Sequence, residues 1–230
     1  MGDRYTITAS IEALKKRFGV EVGDWYEPRY NAAPTQLLPV ITQGSQGLSM
    51  FHWGQIPGWS KNKTISGKLI FAEQETLIEK ASSKLALQSR RCLIPADGYY
   101  DWKKISKKGR VAHRLVFGNN DIIGFAGLWE EFEDDKEEMA HTFKIITTAA
   151  NEVIAPMNHR MPAIIAAGDE KTWLDQNTIA EQALELIKGY PSSATSMYSV
   201  SPKIEQDIDN EYLIKPFAPA DQFGNYSLFD

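Results

Sequence analysis

The stretch RCLIPADGYYDWKKI, Arg91 to Ile105, decides how the rest of the chain is read. Apolar and aromatic residues fill both ends while Pro95, Asp97 and Gly98 interrupt the middle, so it predicts strand, turn and strand. Working outward, Lys107-Lys108-Gly109 is a turn into VAHRLVF, Val111 to Phe117. Gly118-Asn119-Asn120-Asp121 turns into IIGFAGLWEEF, Ile122 to Phe132, and HTFKIITTAA, His141 to Ala150, is a further β-prone run. Upstream, an extended lead-in, EPRYNAAPTQ, precedes a strand from Leu37 to Thr42. Gly44-Ser45-Gln46-Gly47 then turns into the returning strand LSMFHWG. IPGWSKNKT, Ile56 to Thr64, carries the Pro, Gly and Ser of a loop.

Helical patterning sits at the margins. Arg4 to Thr8 alternates as a strand, and Ser10 with Ile11, Leu14 and Phe18 begins a helix. Glu75 to Arg90 predicts a helix with an imperfect apolar face of Leu77, Ile78, Ala81, Leu85 and Leu87. Two more helices are expected near Asp169 to Gln176 and Thr178 to Lys188, then a short strand around Met197 to Val200 and an irregular tail. Strands in the middle with helices at the edges predict an α+β fold with a mostly antiparallel, barrel-like core and peripheral helices. One domain over residues 1–230 is expected, its core from about residue 4 to 216 and its tail over 217–230.

Composition excludes several classes. No apolar run approaches the roughly 20 residues of a membrane span, and the N-terminus lacks the basic-then-apolar form of a signal peptide. The single cysteine, Cys92, cannot form an internal disulfide, which fits a reducing cytoplasm, where a monomer is expected. A net charge of -5 argues against nonspecific coating of nucleic acid but leaves room for a local basic groove. Lys103, Lys104, Lys107, Lys108, Arg110 and Arg114 cluster on one predicted hairpin, whereas Glu130 to Glu138 is nearly all acid. The hairpin reads either as a solvated turn or as one wall of a phosphate-binding groove.

Familiar catalytic patterns are missing. The histidines, His52, His113, His141 and His159, are dispersed, with no HExxH pair and no cysteine cluster, so no metal and no cofactor are expected. There is no P-loop, GxGxxG or GxSxG, and Cys92 inside a predicted strand reads as an inert core thiol. Three stretches remain unusual. FHWGQIPGWS, Phe51 to Ser60, is either a hydrophobic corner or an aromatic platform for stacking bases through Trp53 and Trp59. PADGYYDWKK sets Asp101 among aromatics, as an outward strand residue or a partly desolvated acid. PMNHRMPAII places His159 and Arg160 in a polar bend that could bind an anion or cap a loop.

Taken in order, RYNAAPTQ, FHWGQIPGWSK, RRCLIPADGYYDWKK, AGLWEEF and TFKIITTAANEVIAPMNHRMPAII resemble the SOS response-associated peptidase family, also known as abasic-site processing proteins. The resemblance runs from Arg4 to about Pro216. It implies a protein whose amino terminus lies in the active cleft. In that family Met-Cys-Gly-Arg opens the chain, and loss of the Met exposes a cysteine with a free α-amine. The amine attacks the aldehyde of an abasic site in single-stranded DNA, and the thiol closes the imine to a stable thiazolidine crosslink. An Asn, a Glu and a His orient the amine and move protons, and removal of the Met is attributed to the same residues, hence the word peptidase.

Here the matching positions differ. Gly2-Asp3-Arg4 stands where the family has Cys-Gly-Arg, and Phe71 and Glu73 replace the Asn and Arg of Asn-Ala-Arg-x-Glu-Thr. Tyr100-Asp101-Trp102 replaces Tyr-Glu-Trp, and the family His is Asn158, with His159 one place later as a candidate substitute. Gly2, Phe71, Asp101 and Asn158 therefore mark the family's active site with its chemistry changed. Gly2 has no thiol, Phe71 cannot hydrogen-bond, and Asn158 cannot shuttle a proton near neutral pH. Loss of crosslinking and autoproteolysis is expected, with Arg4, Trp53, Trp59, Arg160, Lys103 and Lys104 as the DNA-contacting candidates and single-stranded DNA with abasic sites as the partner. The alternative is a non-catalytic paralogue that binds a protein or small ligand. A Gly2 α-amine, titrating at about 7.7–8.0, could still form a reversible Schiff base.

Overall fold

The computed structural model describes residues 2–54, 70–107, 109–133, 139–206 and 208–218. From the N-terminus, β1 (Arg4–Ile7) leads into α1 (Ile11–Phe18), β2 (Arg29–Ala32), β3 (Leu37–Thr42), β4 (Ser49–Trp53) and the short β5 (Phe71–Glu73). Helix α2 (Ala81–Ser89) precedes β6 (Arg91–Ala96), β7 (Gly98–Lys104), β8 (Arg110–Phe117), β9 (Ile123–Glu133) and β10 (Met139–Ala149). Then come β11 (Arg160–Pro162), β12 (Ile164–Ile165), α3 (Glu170–Leu174), α4 (Ala180–Glu185) and β13 (Thr195–Ser199).

Five of these strands close into a barrel. Strand β4 pairs with β3, β3 with β6, β6 with β9 and β9 with β10, all antiparallel; β10 returns to β4 in parallel through Thr142↔His52 and Phe143↔Trp53. Closure removes the exposed edges that an open sheet would carry. Leu38, Trp53, Phe125 and Phe143 are fully buried in the core, each such side chain stabilising the fold by roughly 1.5–3 kcal/mol relative to exposure. Tight packing demands glycine at one wall: a Cβ on Gly127 would stand 2.3 Å from the Ile94 side chain.

The second sheet, in the order β13-β8-β7-β1-β2, is antiparallel throughout. The stretch Arg91 to Ile105 thus crosses between sheets: β6 belongs to the barrel, β7 to the second sheet, and Asp97 stands at the corner. Its carboxylate accepts from the Thr6 hydroxyl, the Thr8 N–H and hydroxyl and Arg114 Nη2 (2.8 Å), pinning β1 and β8 around the corner. A second buried cation, Arg91, donates to the carbonyls of Leu87, Gln88, Trp173 and Asp175. It thereby occupies the orphan carbonyls at the end of α2 and ties that helix and α3 to the barrel.

The α+β, barrel-like expectation holds, and most strands lie where patterning places them. Helix α1 is capped as the sequence suggests, with the Ser10 Oγ accepting from Ala13 N–H and Gly19 in the left-handed region at φ 67°. The lead-in before Leu37 contains a strand, β2, because Ala32 pairs with Tyr5. The single helix expected from Glu75 to Arg90 breaks into a 3-10 turn, Gln74–Thr76, and the shorter α2, since Ile78 and Leu85 remain exposed while Leu77 and Leu87 are buried. Both later helices are shorter than expected. Cys92 is fully buried, and burial pushes its thiol up, out of reach of nucleophilic chemistry at neutral pH. Ile56 to Thr64, Lys108, the acid-rich residues 134–138 and the tail beyond residue 218 lie outside the described residues.

Candidate functional site

Pairing of β1 with β7 aligns Arg4 with Tyr100, which carries Gly2 past the strand to the side chain of Asp101. The Gly2 N–H donates to Asp101 Oδ2 at 3.2 Å. Asn158 Nδ2 donates to the same oxygen at 3.1 Å, and the Trp102 N–H donates to Oδ1 at 2.9 Å. Asp101 is buried, so these donors take the place of water around its charge. Asn158 is held in turn by the bend between β10 and β11: its N–H bonds the Ile154 carbonyl and its Oδ1 accepts from Arg160 N–H. Phe71 arrives on β5, which runs parallel to β10 with Phe71 opposite Ile145; its half-buried ring meets Trp53 edge-on at 6.0 Å.

These residues line one cavity of about 560 Å³. Gly2, Asp101 and Asn158 are polar members of its lining, and Ile70, Phe71, Trp102 and Met157 are apolar ones. Lys104, Lys107 and Arg110, from the β7–β8 hairpin, line it too. Lys104 and Lys107 are exposed, whereas Arg110 lies over the Trp102 ring at 5.2 Å and pairs with Glu205 at 2.8 Å. The indole N–H of Trp102 is buried with no acceptor among the described residues. Gly2 has no room for a side chain: a Cβ there would stand 2.1 Å from the Tyr100 carbonyl oxygen and 2.8 Å from the Trp102 ring.

The four positions singled out from sequence, Gly2, Phe71, Asp101 and Asn158, thus come together, although Gly2 and Asp101 are 99 residues apart. Lys104 joins them; Lys103 is exposed on the same hairpin and does not line the cavity. Other candidates are placed elsewhere. Trp53 is 0% exposed, its indole N–H donating to the Ile70 carbonyl at 3.0 Å, so it is a barrel side chain and offers no face for base stacking. His159 is exposed and outside the cavity lining, because Asn158 takes the inward direction at that bend. Arg4 bonds Asn31 Oδ1 and lies outside the lining as well. Trp59 lies outside the described residues. Met157 and Ile70 were not legible as site residues; beyond its position in PMNHRMPAII, Met157 carries no chemical signal.

Arg160 is also accounted for within the protein. Its guanidinium donates to the Thr147 carbonyl and hydroxyl and pairs with Glu75 at 2.9 Å. That hydrogen bond holds the Glu75 carboxyl below the usual range. A depressed acid stabilises the fold above its unfolded pKa and loses that contribution as pH falls through the folded value. Glu75 is 54% exposed, so solvent limits the effect. Glu75→Gln is expected to cost less than about 1 kcal/mol at pH 7 in urea denaturation, a difference that is lost as pH falls through the depressed folded-state pKa. A difference that persists in acid would show that the pair is not its source.

Among the described residues no group of three or more His, Cys, Asp or Glu side chains is arranged to hold a metal, and no helix is long and apolar enough to cross a membrane.

A family model described as SOS response associated peptidase (SRAP) matches residues 1–207. The abasic site processing protein YoqW of Bacillus subtilis is 34% identical over 217 residues, covering 91% of this chain and 96% of that protein. The abasic site processing protein HMCES of Rattus norvegicus is 28% identical, over 86% of this chain and 67% of that protein. A crystal structure of a protein from Bacteroides thetaiotaomicron superposes with a TM-score of 0.81 at 22% identity, covering 94% of this chain and all of that one, a likeness of fold.

Proposed function

Since the chain belongs to the SOS response associated peptidase family, we propose that it binds single-stranded DNA at the Gly2 cleft in the response to DNA damage, without the durable crosslink that the family chemistry implies. The carrying observation is the convergence of Gly2, Phe71, Asp101 and Asn158 on one cavity beside the basic β7–β8 hairpin. A cleft whose Gly2 and Asn158 are held in place by hydrogen bonds to Asp101 supports retained binding. Its chemistry supports the loss. A thiazolidine needs a thiol beside the amine, Gly2 has none, and Cys92 is sealed in the barrel. Phe71 offers no hydrogen bond to a sugar, and the Asn158 amide carries no titrating proton.

A reversible step remains open to the terminus. Once Met1 is removed, the Gly2 amine can attack the abasic aldehyde, losing water to give an imine that hydrolyses back to amine and aldehyde. The neighbouring Asp101 carboxylate, 3.2 Å from the Gly2 nitrogen, is placed to take up or return a proton in that exchange.

Incubation with single-stranded DNA carrying an abasic site, followed by a denaturing gel, tests the proposal. No heat-stable adduct is expected without borohydride; an adduct trapped only by borohydride reports the Gly2 imine. A heat-stable adduct formed without reductant overturns the claimed loss of crosslinking.

The second reading, a paralogue that binds a protein or small ligand, draws on charge. Glu73 is exposed where the family pattern has Arg, and Glu75 neutralises Arg160. Absence of salt-dependent binding to any single strand would favour it over DNA.

A further inference from the structure

We propose that the cleft selects a nucleotide that still carries its base, in preference to the baseless sugar. This rests on the reading of the cleft as a single-strand site and names the form of nucleotide that it takes.

The contents of the cavity carry the inference. Ile70, Phe71, Trp102 and Met157 contribute hydrocarbon and aromatic surface to the lining. A baseless deoxyribose is too small to cover much of it. A planar base buries it, and stacking against an aromatic face works for every base. Phe71 is already ordered: β5 pairs with β10 and Trp53 meets the ring edge, so little freedom is lost when a ligand arrives.

The Asn158 amide supplies what a base edge requires. Asn158 uses one amide hydrogen toward Asp101 and accepts one bond from Arg160 N–H. A primary amide has a second hydrogen and a second acceptor lone pair, an adjacent donor and acceptor that match the edge of a base. At the hairpin, Lys104 and Lys107 are exposed in the lining and supply positive charge for the phosphates of a bound strand. The volume of about 560 Å³ falls within the roughly 300–1,000 Å³ of sites that enclose small organic molecules.

Fluorescence anisotropy with two labelled single strands of equal length and charge tests this: one with all its bases, one built wholly of tetrahydrofuran abasic residues. The base-bearing strand is expected to bind about five-fold or more tightly. Phe71→Asn should bring the two affinities together, and Phe71→Tyr, which keeps the ring, should preserve the difference; circular dichroism melts establish that each variant is folded. Equal affinities, or a preference for the abasic strand, overturn the inference while leaving single-strand binding intact. A preference that survives Phe71→Asn overturns the assignment of the apolar wall. Failure of both strands to bind overturns the single-strand reading itself.

Discussion

Asp97→Ala is expected to lower the stability of the protein by about 3–5 kcal/mol, the cost of breaking a buried ion pair from one side. Asp97 and Arg114 meet at 2.8 Å with side chains 8% and 6% exposed. The substitution strips Arg114 of its anionic partner and leaves the Thr8 N–H without its acceptor. Arg114 keeps bonds to the Thr6 and Tyr198 hydroxyls and to the backbone carbonyl of residue 97, neutral acceptors too weak to balance a buried charge. The effect reaches the cleft, because the Asp97 side chain holds Thr6 within β1 and Thr8 just beyond it, and the other end of that strand leads to Gly2. Urea denaturation reads the loss. Pairing the change with Arg114→Met should recover part of it, since removing both charges spares the orphaned one. A loss below about 1 kcal/mol would show that solvent reaches the pair.

Gly2→Cys is expected to leave crosslinking to abasic DNA at background, even though it returns the thiol that closes the implied thiazolidine. A Cβ at position 2 would lie 2.1 Å from the Tyr100 carbonyl oxygen, backbone of a central strand that cannot move aside cheaply. Relief requires the terminus to shift, which breaks the 3.2 Å contact between the Gly2 nitrogen and Asp101 and takes the amine away from its acid. Phe71 and Asn158 would still stand where a hydrogen-bonding amide and a titrating imidazole are needed. A denaturing gel after incubation with abasic single strands, run beside the combined Gly2→Cys, Phe71→Asn and Asn158→His variant, separates the causes. An adduct in the combined variant alone places the limit in the neighbours; a heat-stable adduct with Gly2→Cys alone refutes the steric account.

Glycine at position 2 offers no thiol, and it lets the terminus lie against β7, where its N–H shares Asp101 Oδ2 with Asn158. Phe71 adds an apolar ring to the lining of the same cavity.

Much of this was legible in the residues. Alternation in VAHRLVF and the turn residues around it mark β8, and Ser10 and Gly19 bracket α1 by capping chemistry that is local to the chain. The identity of the four altered positions is likewise a property of the sequence, and it excludes a thiazolidine at Gly2 whatever the fold. Contacts across long separations were not legible. Nothing near Trp53 says that its ring lies inside a closed barrel, because an aromatic on a strand suits a core or a stacking platform equally well. Arg160, which could bind an anion or cap a loop, is held by Glu75, distant along the chain. Nothing in the residues around Arg91 marks it as fully buried among backbone carbonyls.

By itself, then, the sequence determined the elements, the family pattern and which functional groups are absent, since propensity, capping and side-chain chemistry act within a few residues. Only the tertiary structure decided that Gly2, Phe71, Asp101 and Asn158 face one another, which candidate cations are spent inside the protein, and that position 2 has no space for a Cβ. Those outcomes depend on barrel closure and on the register of β1 against β7, which join residues 57 to 99 positions apart and leave no mark on any local stretch.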